Sequence, residues 1–546
     1  MGNIIKLQNV FIFLFFVVLV FGLLVASENH TAGPRIVDDN QIYRLNIDLS
    51  ENSFFDVAKD EVLVRFFSYK RLIPVFSFHK VLEAKLFGTN LFYWSMYTGA
   101  IAVLTAYFLY LFFINIKYSV IESLLFSTIS VVGLQSVLWW KLIHGEGLAM
   151  MFLSLSLLAM SRSVNKDKNV IWSLIAFILF AFLAALSKES FILLLPALIF
   201  WRVWLLYERN GGDILVAIKS NAVVAAYLGS FFLYVLLLIK IVNSETIFSG
   251  YAGWDGFDRS IFYEKFLEFL VLSDLYILLV PMVACIALIV YVRITKVVVL
   301  VKHHFFKYIF FPFGLFVLIV IPQILLYMKS GFYIEDDYSF YFQRYLLPGM
   351  IGYAFLSVFL LRELRVSQSS GAFDSAKYVW LASVLIMSSL IIFKFGDAYE
   401  SAERDGEMSN AFKVFYQNID KHTNENDVIL LVFNSAVGLR EPVRIKYILN
   451  SMLHRKNIYY LGLPERLETE WSDSSVEINK YKPEITYDRH VNKLSNVKEI
   501  DAVISVLPKE LESSFFRAES AWLNKTEFIL VPSNIAGYKL FSRKIR

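Results

Sequence analysis

The sequence predicts an all-α polytopic membrane bundle of about eleven transmembrane helices, followed by a C-terminal extracytoplasmic α/β domain. Three observations predict it. Long apolar runs alternate with short basic loops up to about residue 395, after which the composition turns ordinary. Of 546 residues, 57% are hydrophobic and 18% charged, against about 25% charged in a typical soluble domain. Lys and Arg are divided unevenly between the two sets of loops. The net charge of +4 is small for this length, so the chain has no basic footprint for nucleic acid. The single cysteine, Cys285, lies in an apolar run. It excludes an internal disulfide and a cysteine-built zinc centre, and reads as a small buried apolar residue.

A span needs about 20 mostly apolar residues, because nothing in the bilayer core satisfies an open backbone. The segments that qualify are 8–26, 92–114, 119–140, 147–161, 170–186, 190–207, 221–241, 271–292, 306–328, 345–361 and 378–395. With the N-terminus and Lys6 in the cytoplasm, the inner loops with their adjoining span ends hold fifteen Lys and Arg, and the short outer loops with theirs hold seven, as the positive-inside rule requires. Eleven spans then put residues 396–546 outside. Lys6, the apolar run and Val25, Ala26 and Ser27 also fit a cleaved signal peptide. The apolar run is long for that and favours a retained anchor.

The first outer loop, 27–90, is too long for a simple connector. It carries Asp38, Asp39 and Asn40 about a dozen residues beyond the first span, with Tyr43 close behind. Two adjacent carboxylates suit a general base that takes a proton from an attacking hydroxyl, or hard-oxygen ligation of a cation. They also suit a solvated turn. Residues 54–78 mix Phe, Val and Leu with Lys59, Arg65, Lys70 and Arg71. That pattern reads as one or two amphipathic helices in the membrane interface.

Three more outer features carry ionisable groups. His144 and Glu146 lie at the mouth of a helix, behind Trp139 and Trp140. Lys188 and Glu189 interrupt two apolar runs, where a charge at membrane depth is expensive and points to function or to a snorkelling pair. Glu335, Asp336 and Asp337 form a second acidic cluster, followed by Arg344 and Tyr345 at the mouth of the tenth span. All four features fall on one side of the bilayer in this topology. Acids beside isolated bases at lipid depth suit a substrate with a phosphate and a lipid tail, Lys188 and Arg344 holding the phosphate.

These residues resemble the motifs of the GT-C superfamily of membrane glycosyltransferases, which use polyprenyl-phosphate-linked sugars. The likeness is to the protein O-mannosyltransferases and the lipid A aminoarabinose transferases. Asp38-Asp39 with Tyr43 matches an acidic pair after the first span, in the place of the commoner Asp-Glu. Arg71-Leu72-Ile73-Pro74 and Leu86-Phe87-Gly88-Thr89-Asn90 match the elements that follow, with the proline displaced from the arginine. Leu186-Ser187-Lys188-Glu189 and Arg344-Tyr345-Leu346-Leu347-Pro348 match two later ones. The resemblance covers residues 1–361. It implies a catalytic module over 1–395 that moves one sugar from a polyprenyl-phosphate donor to a glycan, lipid or protein acceptor outside the cytoplasm, with inversion. It implies Asp38 as base with Asp39 second, Lys188 and Arg344 on the leaving phosphate, and Tyr43, His144, Glu146, Glu189 and Tyr345 about the substrates. A divalent metal is compatible with it but not required; Asp39, Glu335, Asp336 and Asp337 would be its ligands.

Beyond residue 396 the pattern alternates strands and helices. Strands are expected at 428–433, 458–461, 502–506, 528–531 and 538–541, with helices at 442–453 and about 511–522. Two other function classes remain. A transporter or flippase of a lipid-linked sugar should show paired halves with broken helices at the midplane, and the sequence has no internal repeat. A non-catalytic scaffold would leave the outer charges as solvated faces.

Overall fold

The structure, a computed structural model, describes residues 2–31, 33–34, 39–67, 71–165, 170–242, 258–273, 275–294, 310–327, 339–369, 375–434, 440–463, 501–506, 528–531 and 538–543. The helices are α1 (Gly2–Ala26), α2 (Asn40–Glu51), α3 (Phe54–Phe67), α4 (Pro74–Phe87), α5 (Leu91–Asn115), α6 (Val120–Val131), α7 (Gly145–Val164), α8 (Val170–Ser187), α9 (Glu189–Ile192) and α10 (Leu195–Arg209). They continue with α11 (Ile214–Val242), α12 (Arg259–Leu272), α13 (Leu275–Ile294), α14 (Phe311–Leu326), α15 (Leu347–Ser369), α16 (Ser375–His422) and α17 (Arg440–Leu453). Short 3-10 helices span Leu134–Trp139 and Ser339–Leu346. The fold divides the chain into two units. The first holds Met1–Ser27, Ala58–Lys80 and Ser95–Glu403; the second holds Glu28–Val57, Val81–Trp94 and Arg404–Arg546.

Among the described residues, eight helices are long and apolar enough to cross a membrane: Leu7–Ala26, Leu91–Asn115, Gly145–Val164, Val170–Ser187, Glu189–Arg209, Ile214–Leu238, Gln343–Arg365 and Lys377–His422. The chain is thus an integral, multi-pass membrane protein. The count falls short of the eleven segments expected, and the differences lie at three places. Segment 271–292 belongs to a bent pair, α12 and α13, which turn by 84° and make a ninth span if counted as one. Segment 306–328 corresponds to α14, which has 16 residues.

The third difference is at 119–140, where an apolar stretch long enough to span is broken instead. Ser119 Oγ accepts from the Glu122 amide and Glu122 Oε2 accepts from the Ser119 amide, which caps the start of α6. The helix ends after 12 residues. Gly133, at φ 128°, adopts a backbone that other residues avoid, and the 3-10 helix Leu134–Trp139 follows. The carbonyls stranded at the end of α6 find side-chain donors. Gln135 Nε2 donates to Ile129 O and Val132 O, both at 2.9 Å, and Trp139 Nε1 donates to Val131 O at 3.0 Å. An interrupted helix in apolar surroundings survives only when its open backbone groups are met in this way.

At the centre of the first unit is α15, which packs on α6, α13 and α14. Met350, Ile351, Tyr353, Ala354, Phe355, Leu356, Val358 and Phe359 are all buried. A Cβ on Gly352 would stand 3.0 Å from Ile319 Cβ, so the glycine lets α14 approach closely. At the other end of α15, Arg365 donates two bonds to Glu122 (2.8 and 3.1 Å), pinning α15 to the cap of α6. Other helices turn apolar faces outward: Val18 on α1, Ile171 and Trp172 on α8, Leu233 and Tyr234 on α11. Such faces on long apolar helices suit a lipid solvent.

In the second unit, α2 packs on α17, with Ile42, Leu45, Ile445 and Leu449 buried. Its sheet comprises β1 (Ile429–Asn434), β2 (Ile458–Leu463), β3 (Ala502–Val506), β4 (Phe528–Val531) and β5 (Tyr538–Arg543), in the order β2-β1-β3-β5-β4. These strands lie where the sequence places them. The strand β1 runs parallel to β2 and β3, while β5 is antiparallel to β3 and β4. A parallel neighbour needs a crossover, and α17 provides it between β1 and β2. The expected helix at 511–522 lies outside the described residues.

Candidate functional site

The main polar constellation of the first unit is built at three helix starts. His144 stands in extended conformation before α7, and Glu146 is in the first turn of that helix. A carboxylate there faces the positive end of the helix dipole. A Cβ on Gly145 would lie 2.6 Å from Ser187 O and 3.3 Å from Phe76 Cγ, so only glycine lets the start of α7 meet the end of α8. Lys188 is extended (φ −155°, ψ 131°) and separates α8 from the four-residue α9. Arg344 comes from the 3-10 helix that leads into α15.

These residues converge on one carboxylate. Lys188 Nζ lies 2.7 Å from Glu146 Oε1, and Arg344 Nε lies 3.7 Å from the same oxygen. Arg344 Nη1 is 3.4 Å from His144 Nε2, and its Nη2 donates to the Tyr345 hydroxyl at 3.2 Å. The Tyr345 ring stacks on Tyr327 with centroids 4.1 Å apart, and Lys188 Nζ lies 6.0 Å from its centroid. Glu146 and Lys188 are buried. The Glu146 carboxylate gathers two cationic donors, Lys188 and Arg344, toward one point, and donors gathered in this way are what binding an anion requires.

Lys188 and Glu189 do not pair with each other. Extended backbone at Lys188 sends adjacent side chains to opposite sides. Glu189 instead accepts two bonds from Arg71, Nε to Oε1 at 2.7 Å and Nη2 to Oε2 at 3.1 Å. This pairing across 118 residues is a feature that sequence reasoning missed; both residues stood in the motifs Arg71-Leu72-Ile73-Pro74 and Leu186-Ser187-Lys188-Glu189, and were not joined. A second missed group joins α3 to α4. Glu61 takes both Lys80, which is fully buried, and Arg65 at 3.0 Å.

The remaining expected site residues fall elsewhere. Asp39 and Tyr43 belong to the second unit and are both buried. Asp39 occupies the N-cap position of α2, in helical rather than extended conformation, and its side chain does not cap the helix. Burial, with the nearby Asp39 and Tyr416, pushes the Tyr43 hydroxyl well above the usual tyrosine range. Asp38, Glu335, Asp336 and Asp337 lie outside the described residues. Among the described residues, no group of three His, Cys, Asp or Glu side chains could hold a metal ion.

No family model matches the chain, and no curated protein matches it. Among solved structures it is similar to ArnT from Cupriavidus metallidurans, crystallised in the apo state. The similarity covers 88% of this chain and 92% of that one, at 11% identity and a TM-score of 0.41. A likeness that loose assigns neither fold nor activity.

Proposed function

We propose that the chain is a membrane glycosyltransferase of the GT-C type, moving one sugar from a polyprenyl-phosphate-linked donor to an acceptor on the outer side of the membrane. The observation that carries the reading is the convergence of Lys188 and Arg344 on Glu146 at the starts of apolar helices. Cations at membrane depth are costly unless they have a task. Two of them held to one point suit a phosphate whose tail lies in lipid. The acceptor oxygen or nitrogen attacks the anomeric carbon from the face opposite the phosphate, its proton passes to a carboxylate, and the sugar–phosphate bond breaks with inversion. Charge grows on the departing phosphate oxygen, where Lys188 and Arg344 act, since preorganised donors stabilise charge that develops in the transition state. The reading assigns the base to Asp38, with Asp39 as its alternate, and gives His144, Glu146 and Tyr345 the binding of sugar and phosphate.

The test is a transfer assay in membranes with radiolabelled polyprenyl-phosphate sugars and a cell-envelope extract as acceptor pool. Label should pass to a new product with the wild type and not with Asp38→Asn, which should still bind donor. Turnover in Asp38→Asn with Asp39→Asn inactive moves the base to the neighbour. Turnover in both variants overturns the assignment, and no transfer from any donor by folded wild type overturns the reading.

A further inference from the structure

We propose that Arg71 is a positioning residue for Lys188, holding Glu189 away from the lysine so that the lysine is left to Glu146 and the bound phosphate. The inference rests on the reading above that Lys188 engages a lipid-linked phosphate. The segment between α8 and α10 is weak by itself, because α9 has only four residues and a single turn carries little helical stability of its own. Three ties hold it. Arg71 grips Glu189 with two bonds, Gln323 Nε2 donates to Ser190 O at 3.0 Å, and Glu146 holds Lys188. Only the first involves a carboxylate adjacent in sequence to the lysine.

That adjacency gives Arg71 a second effect. Without it, Glu189, a part-buried carboxylate whose side chain is 19% exposed, loses its partner, and the cation beside it in sequence is Lys188. A part-buried charge that loses its partner gains by finding another. Glu189 would then compete with both Glu146 and substrate phosphate for the same ammonium. The fork geometry of arginine suits the two-bond grip, and lysine cannot reproduce it.

The competition predicts a pattern that loss of packing does not give. Arg71→Gln should raise the donor KM and lower kcat/KM for donor by about tenfold or more, leaving the acceptor KM unchanged, because only the phosphate contact is disturbed. Glu189→Gln removes the competitor and should cost less. The double variant Arg71→Gln/Glu189→Gln should be better than Arg71→Gln alone, within about threefold of wild type. Arg71→Lys should resemble Arg71→Gln.

The experiment measures these constants on full-length protein in lipid nanodiscs, together with direct binding of polyprenyl monophosphate to each variant and to Lys188→Gln. Recovery in the double variant supports the proposal. An unchanged donor KM in Arg71→Gln, or a double variant worse than either single one, overturns it. If Arg71→Gln fails to fold, Glu189→Gln and the double variant decide, since full donor binding in both agrees with sequestration and loss in both refutes it. Polyprenyl monophosphate that binds wild type and not Lys188→Gln keeps the functional reading intact whatever Arg71 does. Equal binding, or none, in wild type and Lys188→Gln removes that reading and this inference with it.

Discussion

Gly145 shows how much one missing methyl group decides. Its Cα faces the Ser187 carbonyl so closely that a Cβ would stand 2.6 Å from the oxygen. The obstacle is backbone, which cannot rotate away as a side chain does. Gly145→Ala must therefore shift the start of α7 or the end of α8. Glu146 follows the first of these and Lys188 the second, so their 2.7 Å contact loses its register either way. The expected outcome is a loss of about 1–3 kcal/mol in stability, typical of overpacking. On the proposed function, donor kcat/KM should fall at least about tenfold, since small displacements at a reacting centre are costly. Thermal melting and donor kinetics on the purified variant check the two parts separately; unchanged kinetics would detach Gly145 from the site. At this scale the sequence named His144, Glu146, Lys188, Arg344 and Tyr345 as separate charges or motif members, and the structure brings all five together. It could not name Arg71 as the partner of Glu189, because pairing over 118 residues depends on packing that no local pattern encodes.

Elements differ in how far their type follows from hydropathy. The lipid-exposed helices α1, α8 and α11 were legible, because a long apolar run in lipid has no option but helix. The stretch 119–140 was not. Its hydropathy suits a span, yet Gly133 and the donors Gln135 and Trp139 turn its second half into a 3-10 helix. Hydropathy reports the solvent of a segment and is silent on hydrogen bonds supplied from within it. The short strands β1 to β5 were legible, as runs of apolar, β-branched and aromatic residues between breakers. In α15 the stabilisation comes from close packing. Phe355 is fully buried, with ring centroids 4.9 Å from Trp201 and 5.2 Å from Trp204. In lipid the water-transfer part of burial is missing, so truncating the ring forfeits chiefly the dispersion attraction between it and its neighbours. Phe355→Ala should cost about 2 kcal/mol, less than the same change in a water-soluble core. Refolding or unfolding titrations in mixed micelles measure it, and a neutral result would mean the cavity collapses.

On the scale of the whole molecule, the outward faces of α8 and α11 divide substitutions into two kinds. Leu233, 65% exposed, touches little protein, so Leu233→Ala should leave stability nearly unchanged. Leu233→Arg places a charge on the lipid side and should cost about 2.5–3.5 kcal/mol near the middle of a span. An insertion assay that reports the fraction of α11 crossing the membrane distinguishes the two, and equal insertion would deny that this face meets lipid. The division of the chain into spans was largely readable because the bilayer imposes one length scale. The grouping of residues 28–57 and 81–94 with 404–546 was not, since it joins segments distant in sequence. Cys285 is the sole thiol in the chain, and its Sγ donates to Leu360 O at 3.5 Å, a weak bond whose loss costs little. A single conservative exchange, Cys285→Ser, therefore yields a thiol-free background. Maleimides and spin labels can then be directed to one introduced cysteine at a time, and the sidedness of each loop mapped on otherwise intact protein.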